Sequence, residues 1–511
     1  MMLNTKDYNT FRVGDEEFVG ARLAGGALPG DMVDFKSRYE IRLVSRANHS
    51  HIVGTLELTA KVRFGMTSRG APIYLFTPFS DAYPPFYVGS SQKDITRNML
   101  AIIEFLDWKD TTCPRGNLVQ MIGPAGDLAS EEHALALHAS PVHWNMAARK
   151  MLEVLSEPVA IPNTLWRGRT FHVDPPGCKD IDDAITITPL GGGKIRVQIH
   201  IADVASWLFA NPFLGEHASK ISQTLYRDGD VVRPMFPAEL SEDKFSLIPG
   251  TDRRVLTLTF IWLTESREAT EFAWSHETVH ISQGFTYDSV MSSMYAKDLG
   301  PICCGLAQKH LTDSHEWIEQ LMLLYNREAA KLLRSAGRGV LRRHKGRDEE
   351  RFSRYLALGL PAERLAMAAG EYCDASADDT RHWGLGQDMY CHASSPIRRW
   401  ADCVNQMTLL QIISGTTPNV EADVAHMNAR SKAFKAYERD MVFLRAVLGS
   451  QKKEVLGIVT EPGRVWVAEW ARIVKVDTEG VAGGAPVRVK FFCDATKRNW
   501  KRRMVLKAAL A

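Results

Sequence analysis

The chain has 511 residues, 45% of them apolar and 24% charged, with 62 Lys+Arg against 60 Asp+Glu and a formal net charge of +2. At about 100–200 residues per domain, three or four domains are expected. This composition excludes a largely disordered, fibrous or membrane-embedded protein, and a balanced charge names no partner, so any nucleic-acid signal has to be local.

Eight cysteines run from Cys113 to Cys493 without C-x-x-C spacing, and Cys303 and Cys304 are adjacent. That is no disulfide framework, and a reducing compartment is expected. The start, MMLNTKDYNTFRVGDEEF, has no apolar run and carries acids early, so neither a secretory signal nor a transit peptide is expected. No run approaches about 18 apolar residues, so no membrane span or membrane partner is expected. The expected location is cytoplasmic, with nuclear and virion-associated locations as alternatives.

In chain order, the first stretch is β-rich. RANHSHIVGTLELTAKVRF, TSRGAPIYLFTPF and PPFYVG alternate between turns at Gly25-Gly26, Pro29-Gly30 and Pro84-Pro85. About five strands per 60–70 residues suggests small OB-type barrels, and an irregular sandwich is the alternative. DLASEEHALALH and NMAARKMLEVL read as a helical connector. Strands dominate from about 165 to 265, with a helical or loop insertion near 205–225. HEWIEQLMLLYNREAAKLLR has a helical apolar face at 317, 318, 321, 322, 324 and 325. Helices continue to about 450, and the tail from Val455 is β-like again.

The densest acid cluster is FHVDPPGCKDIDDAITI, with Asp174, Asp180, Asp182 and Asp183 on one loop between two β-runs. Unpaired, such carboxylates raise one another's pKa values, and a hard divalent cation is the simplest compensation. It is not an EF-hand loop, because Lys179 and Ile185 stand where Gly and Glu are needed. A solvated acidic turn is the structural alternative.

YCHASSPIRRWADCVNQMTLLQIISG reads as a helix capped by Ser394 or Ser395, with Pro396 at its first position and Gly415 at its end. Arg398 and Arg399 then fall in the first turn, where cations oppose the helix dipole, and a phosphate would compensate. Pairing of both arginines with nearby acids is the alternative. Acids for a metal with arginines for phosphate suggest metal-assisted phosphodiester hydrolysis. Two basic runs, LLRSAGRGVLRRHKGR and KRNWKRRMVLK around Trp500, suggest a polymeric substrate, and an aromatic flanked by cations is a single-strand binding device. Each run taken alone also fits a solvated face.

These motifs resemble the RNB family of exoribonucleases, similar to bacterial RNase II and RNase R and to the eukaryotic exosome nuclease. VDPPGCKDIDDAI, QIHIADVASWL, LYRDGDVVRPMFPAELSEDKFSLIPG, IEQLMLLYN, LRRH, HWGL and YCHASSPIRRWAD occur in the family's order. IYLFTPFSDAYPPF and PRGNLVQMIGPAGDLASEEHALALH resemble the second cold-shock barrel and linker of exosome-type enzymes. The chain departs from the family at Gln406-Met407 and Ala393. No endonuclease domain is expected ahead of the first barrel.

The resemblance implies a multidomain α+β protein in which OB-type cold-shock-like barrels and a C-terminal S1-like OB barrel flank a mixed α/β RNB catalytic domain. The expected boundaries are 1–64 and 65–125 for the barrels, 126–163 for a helical linker, 164–450 for the RNB domain and 451–511 for the last barrel. It further implies hydrolysis of single-stranded RNA from the 3′ end to nucleoside 5′-monophosphates. Asp174, Asp180, Asp182 and Asp183 would hold one or two Mg²⁺ ions, with Mn²⁺ as substitute. Asp182, Asp183 and Arg398 would be catalytic. Tyr226, Tyr287, Glu319 (or its neighbour Gln320), Arg398, Arg399 and Trp500 would contact RNA. An exosome-like or other RNA-degradation complex is a further expected partner. The competing reading is an inactive RNB-like RNA-binding protein.

Overall fold

The computed structural model describes all residues except 1–2, 9, 14–15, 20–25, 38–39, 110, 143, 145–147, 157–164, 479 and 511. It divides into two compact units, Met1–Pro141 with Ala433–Ala511, and Val142–Lys432. All eight cysteines are free. Among the described residues no helix is long and apolar enough to cross a membrane.

In the first unit, a closed barrel joins the strands Ile52–Leu56, Ile73–Pro78, Phe86–Gly89, Met99–Asp107 and Arg115–Pro124. Ile73–Pro78 alternates half-buried and buried residues, as a strand with one face on a core must. Leu28, Ile52, Tyr74, Phe76, Phe86 and Ile103 fill the interior. The barrel starts at Ile52, inside the 1–64 span expected for the first barrel. The described residues ahead of it form a three-stranded sheet (Leu3–Asp7, Thr10–Val13, Glu16–Val19) and a hairpin (Met32–Ser37 with Glu40–Ser45). The linker forms helices Leu128–Ala139 and Ala148–Ser156, and 157–163 lie outside the described residues.

The tail forms a five-stranded sheet in the order Arg472–Lys475, Arg464–Val467, Glu454–Glu461, Pro486–Cys493, Met504–Leu510. Among the described residues it does not close. Its basic end is a fold element. Trp500 is 2% exposed and Arg503 fully buried. Arg503 donates to Glu131 at 3.0 Å, Thr55 Oγ1 at 3.0 Å and the Lys497 carbonyl at 3.0 Å. Lys497, Arg498 and Lys501 pair with Asp494, Glu57 and Asp440. The expected stacking of RNA on Trp500 is therefore corrected: the indole packs near Phe79 inside the unit.

The second unit contains another closed barrel, of strands Leu165–Val173, Asp183–Gly191, Lys194–Ala202, Asp252–Leu263 and Glu268–Phe285. Parallel pairing of the first with the last closes it, a long-range contact that strand periodicity does not announce. Short helices Ala205–Ala210 and Pro212–Ile221 fill the expected insertion. The Ser314–Ala336 helix starts where Asp313 caps the His315 amide and ends at left-handed Gly337. The Trp400–Ile413 helix is buried at every position from Ala401 to Leu410, and so lies in the core rather than on it. Within it Gln406 accepts from the Val204 and Ala205 amides at 2.9 and 3.0 Å and donates to the Ala202 carbonyl at 2.7 Å. The departure from the family pattern there ties the helix to the barrel rim.

Candidate active site

The acid loop runs between two barrel strands, Leu165–Val173 and Asp183–Gly191, and is held from below by a serine. Ser246 accepts from the Ile181 amide at 3.0 Å and donates to the Lys179 carbonyl at 2.6 Å. Asp182 is thereby turned toward the turn preceding the buried helix. Its Oδ1 accepts from the Ile397 amide at 2.9 Å and its Oδ2 from Arg398 Nε at 3.0 Å. The carboxylate is 4% exposed while half of the Arg398 side chain faces solvent. Burial pushes the Asp182 carboxyl up to about 7, against the pull of Arg398 and the Ile397 amide.

The helix begins at Trp400 with Arg399 as its extended N-cap residue, four positions later than the serine-capped start expected. Ser395, Pro396 and Ile397 instead shape the turn that presents Arg398. The Ser395 amide donates to Asp402 at 2.8 Å, and Ser395 Oγ accepts from Arg398 Nη2 at 3.1 Å. Arg399 pairs with fully buried Asp402 through two hydrogen bonds, at 2.5 and 2.9 Å. The expectation of two RNA-facing arginines is corrected: Arg399 neutralises a core acid, and Arg398 remains for an anion.

Tyr226 reaches the same place through the backbone. Gln223 bridges Arg399, the Thr224 amide donates to the Arg398 carbonyl at 3.0 Å, and the Trp400 amide donates to the Ser222 carbonyl at 2.9 Å. The Tyr226 hydroxyl donates to Asp180 Oδ2. Burial, reinforced by Asp180, pushes its phenol well above the usual range. Tyr287 opens a short helix, and its ring stacks on His315 at 3.6 Å and 14°. Burial, with Asp174 and Asp183 near, pushes the Tyr287 phenol up to about 12. Glu319 is exposed on the Ser314–Ala336 helix, and half-buried Gln320 follows it.

Asp174 and Asp183 complete the cluster. His172 Nδ1 lies 2.8 Å from Asp174 Oδ2, and Gly284 leaves room for the imidazole where a Cβ would collide with it. Asp183 Oδ2 is buried without a hydrogen-bond partner. Burial, then Asp174 and Asp182, push its carboxyl well above the usual range. An all-oxygen donor set with one orphaned buried carboxylate oxygen suits a hard divalent cation in chemistry. Among the described residues no three His, Cys, Asp or Glu side chains form a ready ligand cage. Protein donors occupy Asp182, Asp180 and Asp174 in this arrangement.

His172, Ser246, His315 and Asn326 support the site and were not singled out in the sequence. Each lies inside a stretch that the sequence does display: FHVDPPGCKDIDDAITI, KFSLIPG and HEWIEQLMLLYNREAAKLLR. His172 acts on a neighbour two positions on, whereas Ser246, His315 and Asn326 act on residues that folding brings near.

Comparison with known proteins bears on the family and the fold. Residues 163–302 and 360–415 match the RNB domain, and residues 73–140 match the Dis3-like cold-shock domain 2. The chain thus carries an RNB domain. Mouse "Exosome complex exonuclease RRP44" is 24% identical over 84% of this chain and 55% of its own length, so the chain spans about half the length of such curated relatives. Mycoplasma genitalium RNase R in its apo form shares the fold with a TM-score of 0.74 at 15% identity, covering 99% of this chain and 100% of its own. Yeast Ssd1, described as a pseudonuclease, shares it with a TM-score of 0.69 at 15% identity over 97% of this chain and 80% of its own. OB-type domains flanking an RNB domain are thus the fold class, and fold alone does not separate active from inactive members.

Proposed function

We propose that the chain is a hydrolytic 3′-to-5′ exoribonuclease that degrades single-stranded RNA to nucleoside 5′-monophosphates with Mg²⁺. The observation that carries this reading is the convergence of the acid loop and Arg398, with Asp182 bonded to a half-exposed guanidinium. Cleavage gives the buried carboxylate cluster beside a phosphate-type arginine a role that RNA binding alone does not require.

In this reading Asp174, Asp180, Asp182 and Asp183 hold the cation, which when bound supplies a water of lowered pKa and neutralises phosphate charge. Asp182 orients Arg398 by its Nε, leaving an Nη group to meet the charge that develops on the phosphate. Tyr226 holds Asp180 by its hydroxyl and offers its ring to the terminal base, with stacking worth roughly 1–3 kcal/mol. Single-stranded RNA is the partner, and association with an exosome-like or other degradation complex is a further proposal suggested by the relatives' name.

The second reading, an inactive RNA-binding relative, is favoured by the likeness to Ssd1 and by the engagement of three acids with protein donors. Incubation of 3′- and 5′-labelled RNA with the protein, with and without Mg²⁺, tests both. Mononucleotide release from the 3′ label only with Mg²⁺ is expected; intact RNA under both conditions supports the second reading.

A further inference from the structure

We propose that a cavity of about 270 Å³ within the RNB unit, lined by Gln320, Arg327, Gln387, Tyr390 and leucines including Leu323 and Leu385, is a subsite for one nucleobase, purines favoured. Its occupant is a nucleoside monophosphate unit, either the end of an RNA chain or a released mononucleotide. The identity of this occupant rests on the exoribonuclease reading; the cavity itself does not.

The size comes first. The volume is just below the roughly 300–1,000 Å³ typical of small-molecule pockets, enough for a ring system and little more. The walls are mixed in the way a base requires. The leucines and the buried Tyr390 ring are apolar surfaces for the faces of a heterocycle. Two carboxamides and a guanidinium are the side chains whose paired donors and acceptors match adenine N6/N7 and guanine O6/N7. Arg327 is available for this. Glu328 takes its Nε at 3.3 Å but takes Lys331 Nζ at 2.8 Å. The Nη groups of Arg327 have no such partner among the described residues.

The cavity is also wired to the catalytic arginine. Asn326, buried behind it, donates to the Tyr390 hydroxyl at 3.0 Å and to Ser394 Oγ at 3.1 Å, and accepts from the Ala393 amide at 2.8 Å. Ser395, next in the chain, accepts from Arg398. One carboxamide therefore fixes both the back wall of the cavity and the turn that carries the phosphate-type residue. A generic surface hollow would have no such tie.

Calorimetric titration of AMP and of UMP into the full chain in chelator, without cleavage, tests the assignment. AMP is expected to bind more tightly than UMP. Arg327→Ala and Gln387→Ala are each expected to weaken AMP at least about tenfold. Leu323→Trp, filling the cavity, should abolish binding in a protein whose thermal melt is unchanged, and Arg398→Ala should leave binding in place. No AMP binding at millimolar nucleotide overturns the proposal. So does binding that is lost with Arg398→Ala yet indifferent to Leu323→Trp and Arg327→Ala. Addition of a 3′-hydroxyl single-stranded oligoribonucleotide then identifies the source. Competition with AMP assigns the cavity to the RNA end, and joint binding assigns it to the free mononucleotide. Because no cleavage is measured, loss of the nuclease reading leaves these outcomes readable.

Discussion

Arg398 Nε donates to Asp182 Oδ2 at 3.0 Å across 216 positions of sequence, joining the acid loop to the turn before the buried helix. The pair sets a double test. Asp182→Asn keeps the shape, removes the charge and loosens Arg398, which keeps its bond to Ser395. Cleavage is expected to fall by 10²–10³-fold or more while RNA binding and the melt stay near wild type. Arg398→Lys, which cannot bond Asp182 and phosphate through one planar fork, is expected to fall nearly as far. Single-turnover rates beside filter binding check both, and full activity of either variant would remove the pair from the mechanism.

In the proposed mechanism the Tyr226 hydroxyl, bonded to Asp180, has a role apart from that of the ring. From the sequence resemblance alone, phenylalanine would serve equally well as a stacking surface. The bond to Asp180 predicts otherwise. Tyr226→Phe frees that carboxylate and is expected to shift the Mg²⁺ concentration for half-maximal cleavage. Tyr226→Ala should in addition leave a longer limit product, because short RNA depends most on one stack. Mg²⁺ titrations and product-length gels distinguish the two losses.

The C-terminal basic run is expected to behave as core. Arg503→Ala or Glu131→Ala leaves one buried charge without its partner, at about 3–5 kcal/mol. Replacing both with Met and Leu should cost less than either single change, since the pair is fully buried. Deleting residues 497–511 should unfold the tail sheet and its contacts with Glu131 and Thr55 rather than merely weaken RNA binding. Denaturant melts of the four variants decide this, and a truncation with a wild-type melt and a flattened salt dependence of RNA binding would restore the RNA-tracking role.

His200 predicts a pH dependence of stability. It is fully buried in the RNB barrel between Thr186 Oγ1 and Thr257 Oγ1, at 2.9 and 2.8 Å. Burial lowers its pKa from 6.5 to about 3. The unfolded chain therefore binds a proton between those values that the folded chain refuses. The stabilisation is complete above pH 6.5 and is lost as pH falls, at roughly 1.4 kcal/mol per unit until about pH 3. Comparing wild type with His200→Gln by denaturant unfolding at pH 7.5 and 5.5 isolates this slope. Parallel losses in both proteins would show that His200 does not carry it.

Much of the local structure was legible in the residues themselves. The alternation in Ile73–Pro78 is a strand, and the spacing from Trp317 to Tyr325 is a helix. Those patterns depend on neighbours two to four positions apart, which the chain order displays directly. The acid loop between β-runs and the arginine after Ser-Ser-Pro-Ile were legible for the same reason.

Which of these groups meet, and which are consumed by the fold, was decided only in three dimensions. Arg398 and Arg399 are adjacent and chemically alike, yet one faces solvent beside Asp182 and the other is locked to Asp402. Trp500 stands among cations like a base-stacking residue, yet its indole is buried and Arg503 is bonded to Glu131, 372 positions away. The parallel strand pair that closes the RNB barrel is likewise non-local. A side chain's chemistry is set by its type, but its availability is set by the partners that folding delivers. Periodicity carries no record of those partners, because burial of a charge or a ring is stabilised by atoms far away along the chain.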